Sequence, residues 1–330
     1  MVSVIIPVYN AGRCIGRAIE SVLGQSYSDY EIVVVDDGST DKTAEIVKEY
    51  GDKVRYIYQK NAGVAVARNA GIAVAKGRWI AFLDADDEWL PDKLKTQMDL
   101  LARNPDLSWC ASNRYQSDGR HEAVVVNIKL ARRALAGRDF FEDYFAAVVS
   151  RVCNVQTSNV VVRKTVFAQL GGFEPCRAQG EDFDVWIRIA HHFPRIGYVA
   201  EPLTVMHLDT PNIDFTKRRV KSKTGTAGRA IIGRHLEIAG WLGTQREFEP
   251  FASMVLRKGL VTTIYHGYKA DARATVRQFA EFFPWYWRAA TYILTAFPKL
   301  TSTIARIVAY ARHRLGFEHT ISRRWISSDR

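Results

Sequence analysis

The chain has 330 residues, of which 47% are hydrophobic and 25% charged, so it can bury a full-sized core and is too long for one small domain. Its cysteines lie far apart, without CxxC pairs or histidines at metal spacing, which argues against a zinc site and a disulfide framework. The formal charge of +11 is uneven, because residues 215–330 contain 21 Lys and Arg against 7 Asp and Glu. This net +14 leaves −3 for residues 1–214 and predicts an anionic partner for the C-terminal part.

Up to about residue 110, short apolar runs of strand length alternate with amphipathic stretches of helical length. The predicted strands are Val2–Val8, Glu31–Val35, Val54–Gln59 and Trp79–Leu83. The predicted helices are Arg13–Leu23, Asp41–Tyr50 and Gly63–Ala75. This βαβαβαβ order indicates an α/β fold with a mostly parallel sheet and helices on both faces.

The pattern is less regular further along the chain. We predict helices at Leu90–Asn104, Arg138–Val149 and Asp182–His192 and strands at Ser158–Val162 and Leu203–His207. Beyond residue 215 only helices are predicted, at Lys217–Ala239, Phe251–Tyr268, Asp271–Phe283, Trp285–Phe297 and Thr301–Leu315. The chain is therefore expected to contain an α/β domain over residues 1–214 and a basic, all-helical region over residues 215–330.

Polar motifs follow all four of the first predicted strands. They are Tyr9-Asn10, Asp36-Asp37-Gly38-Ser39, Lys60-Asn61-Ala62-Gly63 and Asp84-Ala85-Asp86-Asp87. In open α/β sheets, ligands lie beyond the carboxyl ends of the strands. We therefore expect these motifs to meet at one polar edge of the sheet.

Acidic residues at two of these strand ends can each be interpreted in two ways. The carboxylates of Asp84 and Asp86 suit Mg²⁺ or Mn²⁺ and a diphosphate, and the same pair also suits a solvated turn. Asp36 and Asp37 could accept hydrogen bonds from a nucleotide base or ribose, or cap the next helix.

Three further positions carry candidate chemistry. Arg68, within Ala67-Arg68-Asn69-Ala70-Gly71, could meet phosphate near a helix start. Glu181 and Asp182 precede a predicted helix, where carboxylates are stabilised by the helix dipole; Asp182 could also act as a general base. His207 could bind a metal or be structural.

Taken together, the motifs resemble glycosyltransferase family 2, a group of inverting enzymes with the GT-A fold. The resemblance covers about residues 2–210. It rests on Val4-Ile5-Ile6-Pro7-Val8-Tyr9-Asn10, Val34-Val35-Asp36-Asp37-Gly38-Ser39-Thr40-Asp41, Asn61-Ala62-Gly63, Ala67-Arg68-Asn69-Ala70-Gly71, Asp84-Ala85-Asp86-Asp87, Gly171-Gly172-Phe173 and Gly180-Glu181-Asp182.

The resemblance implies a role for each candidate residue. The nucleotide base and ribose would be surrounded by Pro7, Tyr9, Asp36, Asp37 and Arg68. A Mn²⁺ or Mg²⁺ ion and the diphosphate would be held by Asp86 and Asp84, with His207 where relatives carry a metal-reaching histidine. The usual Tyr-Arg-x-His string is broken here by Val205-Met206. Asp182 would be the catalytic base, supported by Glu181.

The implied reaction moves a sugar from a nucleoside-diphosphate sugar, with UDP favoured, to a hydroxyl of a glycan or polyprenyl-pyrophosphate-linked glycan in cell-surface polysaccharide assembly. No Gln-x-x-Arg-Trp element follows Asp182, which favours a single-addition enzyme. The alternatives are a non-catalytic nucleotide-sugar or glycan-binding protein and a nucleotidyltransferase. The basic tail carries no recognised nucleic-acid-binding motif, so no nucleic-acid partner is expected.

The C-terminal region combines aromatic clusters with arginines. The run from Phe282 to Trp287, together with Tyr292 and Arg288, suits the interface of a membrane with acidic headgroups, although a soluble helical cap is the alternative. No export signal is recognised after Met1, and no apolar run reaches spanning length. We therefore expect a cytoplasmic protein that attaches peripherally to the inner face of the cell membrane.

Overall fold

The structure is a computed structural model, and it describes residues 1–175, 180–208 and 224–297, with side chains in the last range from residue 228. The described residues divide into two compact units. The first takes those of Met1–Asp214 and Leu242–Glu247, and the second takes those of Phe215–Trp241 and Phe248–Arg330. Each unit is described separately below.

A single mixed sheet forms the centre of the first unit. Its strands are β1 (Val2–Val8), β2 (Tyr30–Asp36), β3 (Arg55–Tyr58), β4 (Trp79–Phe82), β5 (Glu88–Trp89), β6 (Trp109–Ser117), β7 (Glu122–Val124), β8 (Phe140–Phe141), β9 (Val160–Arg163) and β10 (Ile196–His207). The main order is β3-β2-β1-β4-β9-β6-β10-β5, and β7 and β8 pair with β6 and β10. The first four strands are parallel, so their carboxyl ends share one edge.

Helices connect and cover these strands. They are α1 (Ile15–Leu23), α2 (Thr43–Lys48), α3 (Val64–Val74), α4 (Lys93–Arg103), α5 (Ile128–Leu135), α6 (Tyr144–Val149), α7 (Lys164–Leu170) and α8 (Glu181–His192), with short 3₁₀ turns at Gly51–Lys53 and Thr157–Asn159. The expected α/β class is confirmed, but the sheet is mixed rather than mostly parallel, because β5, β7, β8 and β9 pair antiparallel with their neighbours.

Close packing of α3 against the sheet fixes the position of the site described below. Every residue of β1 is buried, as expected for a strand covered on both faces. A Cβ added to Gly71 of α3 would lie 2.4 Å from Cγ2 of Ile5 in β1. The glycine therefore allows α3 to approach β1 more closely than any larger residue would.

The predicted helix at Arg138–Val149 is wrong in its first half. Phe140–Phe141 is instead a short strand paired with Ile196–Gly197 of β10. Helix α6 begins only after Asp143, whose side chain accepts a hydrogen bond from the Phe145 N–H as an N-cap. The strand β6 and helix α5 lie in the stretch for which no prediction was made, since the β6 sequence is largely polar.

Helices make up the described part of the second unit. They are Thr224–Leu242, Gln245–Tyr265, Lys269–Gln278 and Trp285–Ala296, called here the aromatic helix, with a 3₁₀ turn at Ala280–Phe282. The predicted helix Phe251–Tyr268 in fact starts at Gln245, with Pro250 inside it. The predicted helix Asp271–Phe283 ends at Gln278, and the predicted Thr301–Leu315 lies outside the described residues. None of the described helices is both long and apolar enough to cross a bilayer.

Candidate functional site

The loops after β1 and β2 are tied together at the shared edge of the sheet. Asn10, with a φ of 50°, donates its backbone N–H to Ser39 Oγ at 2.9 Å. Its side-chain oxygen accepts from the Thr40 N–H at 2.8 Å. Pro7 is buried within β1, whereas Tyr9, in the loop after β1, is exposed. The first two predicted donor-binding residues therefore lie in different environments, and only Tyr9 presents a free surface.

Asp36 and Asp37 are both buried and hold local structure. Asp36 accepts hydrogen bonds from the Ser39 N–H and the Tyr56 hydroxyl, each at 2.7 Å. Burial and this carboxylate raise the pKa of Tyr56. Asp37 accepts from the backbone N–H groups of Ala62 and Gly63, each at 2.8 Å, and so anchors the loop that leads into α3.

A buried arginine joins two of the acidic motifs. Nη2 of Arg68, on α3, lies 2.8 Å from Asp84 Oδ1, and its Nη1 lies 2.9 Å from Glu181 Oε1. The guanidinium also lies 5.1 Å from the ring centroid of Phe173. These carboxylates raise the pKa of Arg68 and outweigh the opposite effect of its burial. Arg68 was predicted beside the nucleotide; the structure places it between the end of β4 and the start of α8.

The residue after Arg68 fixes the Gly171-Gly172-Phe173 turn. The Asn69 amide donates to the Phe173 carbonyl at 2.7 Å and accepts from the Phe173 N–H at 2.8 Å. A Cβ on Gly172 would lie 2.2 Å from Asn69 Oδ1, so only glycine leaves room for this pair of hydrogen bonds. Asn69 therefore holds the Phe173 backbone, and with it the ring that Arg68 packs against.

The motif after β4 is a tight turn, called here the carboxylate turn, that carries Asp84, Asp86 and Asp87. The Asp87 N–H donates to the Asp84 carbonyl at 3.0 Å. Ser158 donates its hydroxyl to Asp87 at 2.5 Å and accepts from the Asp84 N–H at 3.2 Å. Burial, followed by the charge of Asp84, raises the pKa of Asp86 to about 6. Burial raises the pKa of Asp87 well above its usual value, and the charges of Asp86 and Asp84 add to this effect.

Glu181 and Asp182 form the first turn of α8. Gly180 precedes them with a φ of 86°, which a residue with a side chain rarely adopts. Burial raises the pKa of Asp182, with Glu181 adding to the effect and Arg68 opposing it. Asp84 also raises the pKa of Asp182. A carboxylate of one acidic motif therefore affects the pKa of a carboxylate in the other.

His207, at the end of β10, contacts Glu88. Its Nε2 lies 3.3 Å from Glu88 Oε2. The same carboxylate oxygen lies 3.5 Å from Nε of Arg17 in α1, and Nη2 of Arg17 donates to the Asp86 carbonyl at 2.6 Å. Arg17 and Glu88 thus connect His207 to the carboxylate turn.

The carboxylate turn supplies only part of the ligand set that a divalent cation would need. Within residues 1–175, 180–208 and 224–297, no group of three or more His, Cys, Asp or Glu side chains is arranged to hold a metal. Asp84 and Asp86 lie two residues apart on this turn, and burial, followed by the charge of Asp84, raises the pKa of Asp86. A cation whose remaining ligands come from a bound diphosphate and water suits this arrangement.

Several supporting residues were not predicted from the sequence. Asn69, Ser158 and Arg17 each hold a backbone group of a motif through a long-range hydrogen bond. Asn69 lies inside a motif that was recognised, so its position was available as a signal. Nothing near Ser158 or Arg17 in the sequence indicates their partners, which lie 74 and 69 positions away.

More than half of the chain matches a known protein family. The model described as Glycosyl transferase family 2 matches residues 3–170. The chain belongs to this family. The resemblance and the GT-A-type fold expected from the sequence are therefore confirmed.

Curated relatives match a little over half of the chain. An uncharacterized glycosyltransferase of Rickettsia typhi is 46% identical over 188 residues, which is 57% of this chain and 58% of the relative. One from Rickettsia felis is 36% identical over 191 residues, which is 57% of this chain and 30% of the relative. The match thus spans between about a third and three fifths of these relatives.

Solved structures resemble the fold at low sequence identity. Residues 1–349 of S. aureus TarS in complex with UDP-GlcNAc align with a TM-score of 0.61 and 17% identity, covering 89% of each chain. The mannosyltransferase PcManGT of Pyrobaculum calidifontis, in complex with GDP-Man and Mn²⁺, aligns with a TM-score of 0.54 and 17% identity, covering 91% of this chain and 86% of that one.

We expect Arg68→Met to lower the free energy of unfolding by about 3–5 kcal/mol, because methionine leaves Asp84 and Glu181 without their shared counter-charge. Urea denaturation at pH 7 measures this. The matched control is Arg13→Met, because Arg13 is exposed and its loss should change stability by about 0.5 kcal/mol at most. Equal stability of the two variants would show that the bridge contributes nothing to folding.

Proposed function

We propose that the chain is an inverting glycosyltransferase that moves a sugar from a nucleoside-diphosphate sugar to a hydroxyl of a glycan or lipid-linked glycan. One observation carries this proposal. Arg68 pairs at once with Asp84 of the carboxylate turn and with Glu181, which precedes the candidate base Asp182. A cation-binding motif and a candidate base thus belong to one site, as a single displacement at the anomeric carbon requires.

The donor proposal rests on chemistry and on structural neighbours. UDP is favoured as the carrier, as in the sequence analysis. The TarS structures contain UDP-GlcNAc or UDP, and that of PcManGT contains GDP-Man. These ligands belong to those proteins, and at 17–18% identity they support the class of donor rather than the particular sugar.

Asp86 and Asp84 are the residues that would hold Mn²⁺ or Mg²⁺, with His207 as a further candidate. When bound, the ion would neutralise charge on the departing nucleoside diphosphate. Asp86 suits this role because its carboxylate is repelled by Asp84, and a cation would relieve that repulsion. His207 contributes least to this proposal, since it contacts Glu88 in this structure.

Asp182 is the proposed general base. Its raised pKa makes it a stronger proton acceptor than an ordinary aspartate, provided that it remains ionised. It would take the proton of the acceptor hydroxyl as that oxygen attacks the anomeric carbon from the side opposite the diphosphate, which inverts the anomeric configuration. Glu181, held by Arg68, positions the turn that carries Asp182.

The acceptor and the location are part of the same proposal. A Bacillus subtilis relative named provisionally for teichuronic acid biosynthesis, TuaG, is 42% identical over 105 residues, which is 31% of this chain and 42% of the relative. This supports a role in cell-surface polysaccharide assembly. A lipid-linked acceptor would place the enzyme peripherally on the inner face of the cell membrane, and the net +14 of residues 215–330 suits acidic lipids.

We expect Asp86→Ala and Asp182→Asn to separate donor binding from transfer. Asp86→Ala should abolish the Mn²⁺-dependent rise in melting temperature with UDP, because the ion loses a ligand. Asp182→Asn should keep that rise and lose at least 100-fold in transfer rate, because the base is gone. Thermal-shift and single-turnover assays across a nucleotide-sugar panel measure both.

The control for this pair is Asp99→Ala, which removes an exposed carboxylate of α4 and should leave donor binding and transfer unchanged. Transfer by Asp182→Asn at the rate of the unmodified enzyme would remove the proposed base. Metal-dependent UDP binding by Asp86→Ala would remove the proposed metal site.

We expect Glu181→Gln to shift the acidic limb of the kcat/KM profile to lower pH. A general base stops working when the pH falls through its pKa, because it becomes protonated. After burial, the charge of Glu181 is the next cause that raises the pKa of Asp182. Without this negative neighbour, Asp182 stays ionised to lower pH. Glu122→Gln, at an exposed position of β7, is the control. An unchanged acidic limb in Glu181→Gln would contradict the assignment of Asp182.

A further inference from the structure

The aromatic helix of the second unit has a reversed pattern of burial. Its threonines point inward, with Thr291 and Thr295 only 1% and 3% exposed. Its large apolar side chains point outward, including Trp285 at 73% and Ile293 at 52%, and Phe297 follows at 61%. Surface helices of soluble proteins normally show the opposite arrangement. The reversal indicates that the outer surface is adapted to an apolar environment.

The inward side of this helix is satisfied by its own unit. Thr291 donates its hydroxyl to the Trp287 carbonyl at 2.8 Å. The Thr295 hydroxyl accepts from Nε of Arg273, on the preceding helix, at 2.9 Å. The Thr291 bond lies within the helix, but rotating the helix to bury its aromatics would break the bond between Thr295 and Arg273. The observed orientation is therefore stabilised by specific contacts.

The structure separates two kinds of aromatic residue in this region. Phe283 is buried, and its ring lies 6.2 Å from that of Trp287, so these two contribute to packing. Four other aromatic side chains and Ile293 form an exposed surface within residues 285–297. We call it the aromatic face, and it consists of Trp285, Tyr286, Tyr292, Ile293 and Phe297.

Arginines border the aromatic face. Arg277 donates from Nε to the Tyr292 hydroxyl at 2.9 Å, and its guanidinium lies 5.9 Å from that ring. Arg288 is exposed on the aromatic helix itself. The sequence of residues 298–330 adds seven Lys and Arg against two Asp and Glu. A surface that has both apolar and negatively charged groups would complement these aromatic and basic side chains.

We propose that the aromatic face binds the interface of an anionic lipid bilayer. Trp285, Ile293 and Phe297 enter the boundary between headgroups and acyl chains, while Arg277 and Arg288 contact acidic headgroups. A second copy of this chain would bring the same positive charge against these arginines, whereas acidic lipids neutralise it. This inference extends the membrane location in the proposed function by naming the surface, and vesicle binding itself requires no catalysis.

Co-sedimentation of the full chain with vesicles tests this surface. We expect binding to vesicles that contain phosphatidylglycerol, weaker binding as salt rises, and little binding to pure phosphatidylcholine. Trp285→Ser combined with Ile293→Ser should weaken binding at least tenfold, because two large apolar side chains no longer leave water. The matched control is Trp241→Ser, since Trp241 is 86% exposed in the same unit but lies outside the aromatic face. It should bind within twofold of the unmodified chain.

Three results would overturn the proposal. They are equal binding by the double variant and the unmodified chain, equal binding to neutral and anionic vesicles, and a dimer that dissociates in the double variant without any vesicle binding. The last result would assign the aromatic face to a second copy. Melting shifts with UDP and Mn²⁺, measured on the same proteins, separate this test from the proposed function. Vesicle binding without donor binding would reject the proposed function alone, and donor binding without vesicle binding would reject the aromatic face alone.

Discussion

The pairing of one buried guanidinium with two carboxylates from distant parts of the chain organises this site. A buried charge is costly unless it is paired, and the planar fork of arginine can serve two acceptors at once where lysine offers a single point charge. Arg68 uses this geometry to connect β4 with α8, 113 positions away from Glu181 in sequence. Gly71 and Asn69 support the bridge from the same helix, through close packing on β1 and through the Phe173 backbone.

The site contains more carboxylates than Arg68 can pair with. Arg68 serves Asp84 and Glu181, while Asp86, Asp87 and Asp182 all have raised pKa values. A carboxyl group whose pKa is higher in the folded chain than in the unfolded chain lowers stability at neutral pH, and this cost is lost as the pH falls through the raised pKa toward the ordinary one. The cation and donor of the proposed function would offset this cost, since a ligand that binds only the folded state stabilises it.

Sequence patterns predicted the parallel half of the sheet well, because β1 and β2 are runs of Val and Ile buried on both faces. They failed at β6, whose polar residues bond to distant groups, as when Asn113 donates to the carbonyls of Val126 and Ala200. The site motifs were recognisable because each follows a strand or begins a helix. What the sequence could not provide is which carboxylate Arg68 faces, since that depends on how α3 and α8 pack across the sheet.

Arg68 is therefore expected to hold the carboxylate turn and the start of α8 as one unit. The most direct measurement is a set of unfolding free energies for Asp84→Asn, Glu181→Gln and their combination, with and without Arg68→Met. With Arg68 present, the second neutralisation should cost more than the first, because it removes the last carboxylate bonded to the buried guanidinium. With Arg68→Met, each neutralisation should instead restore stability, because it removes a carboxylate that has lost its counter-charge. Simple additivity in the presence of Arg68 would contradict the account.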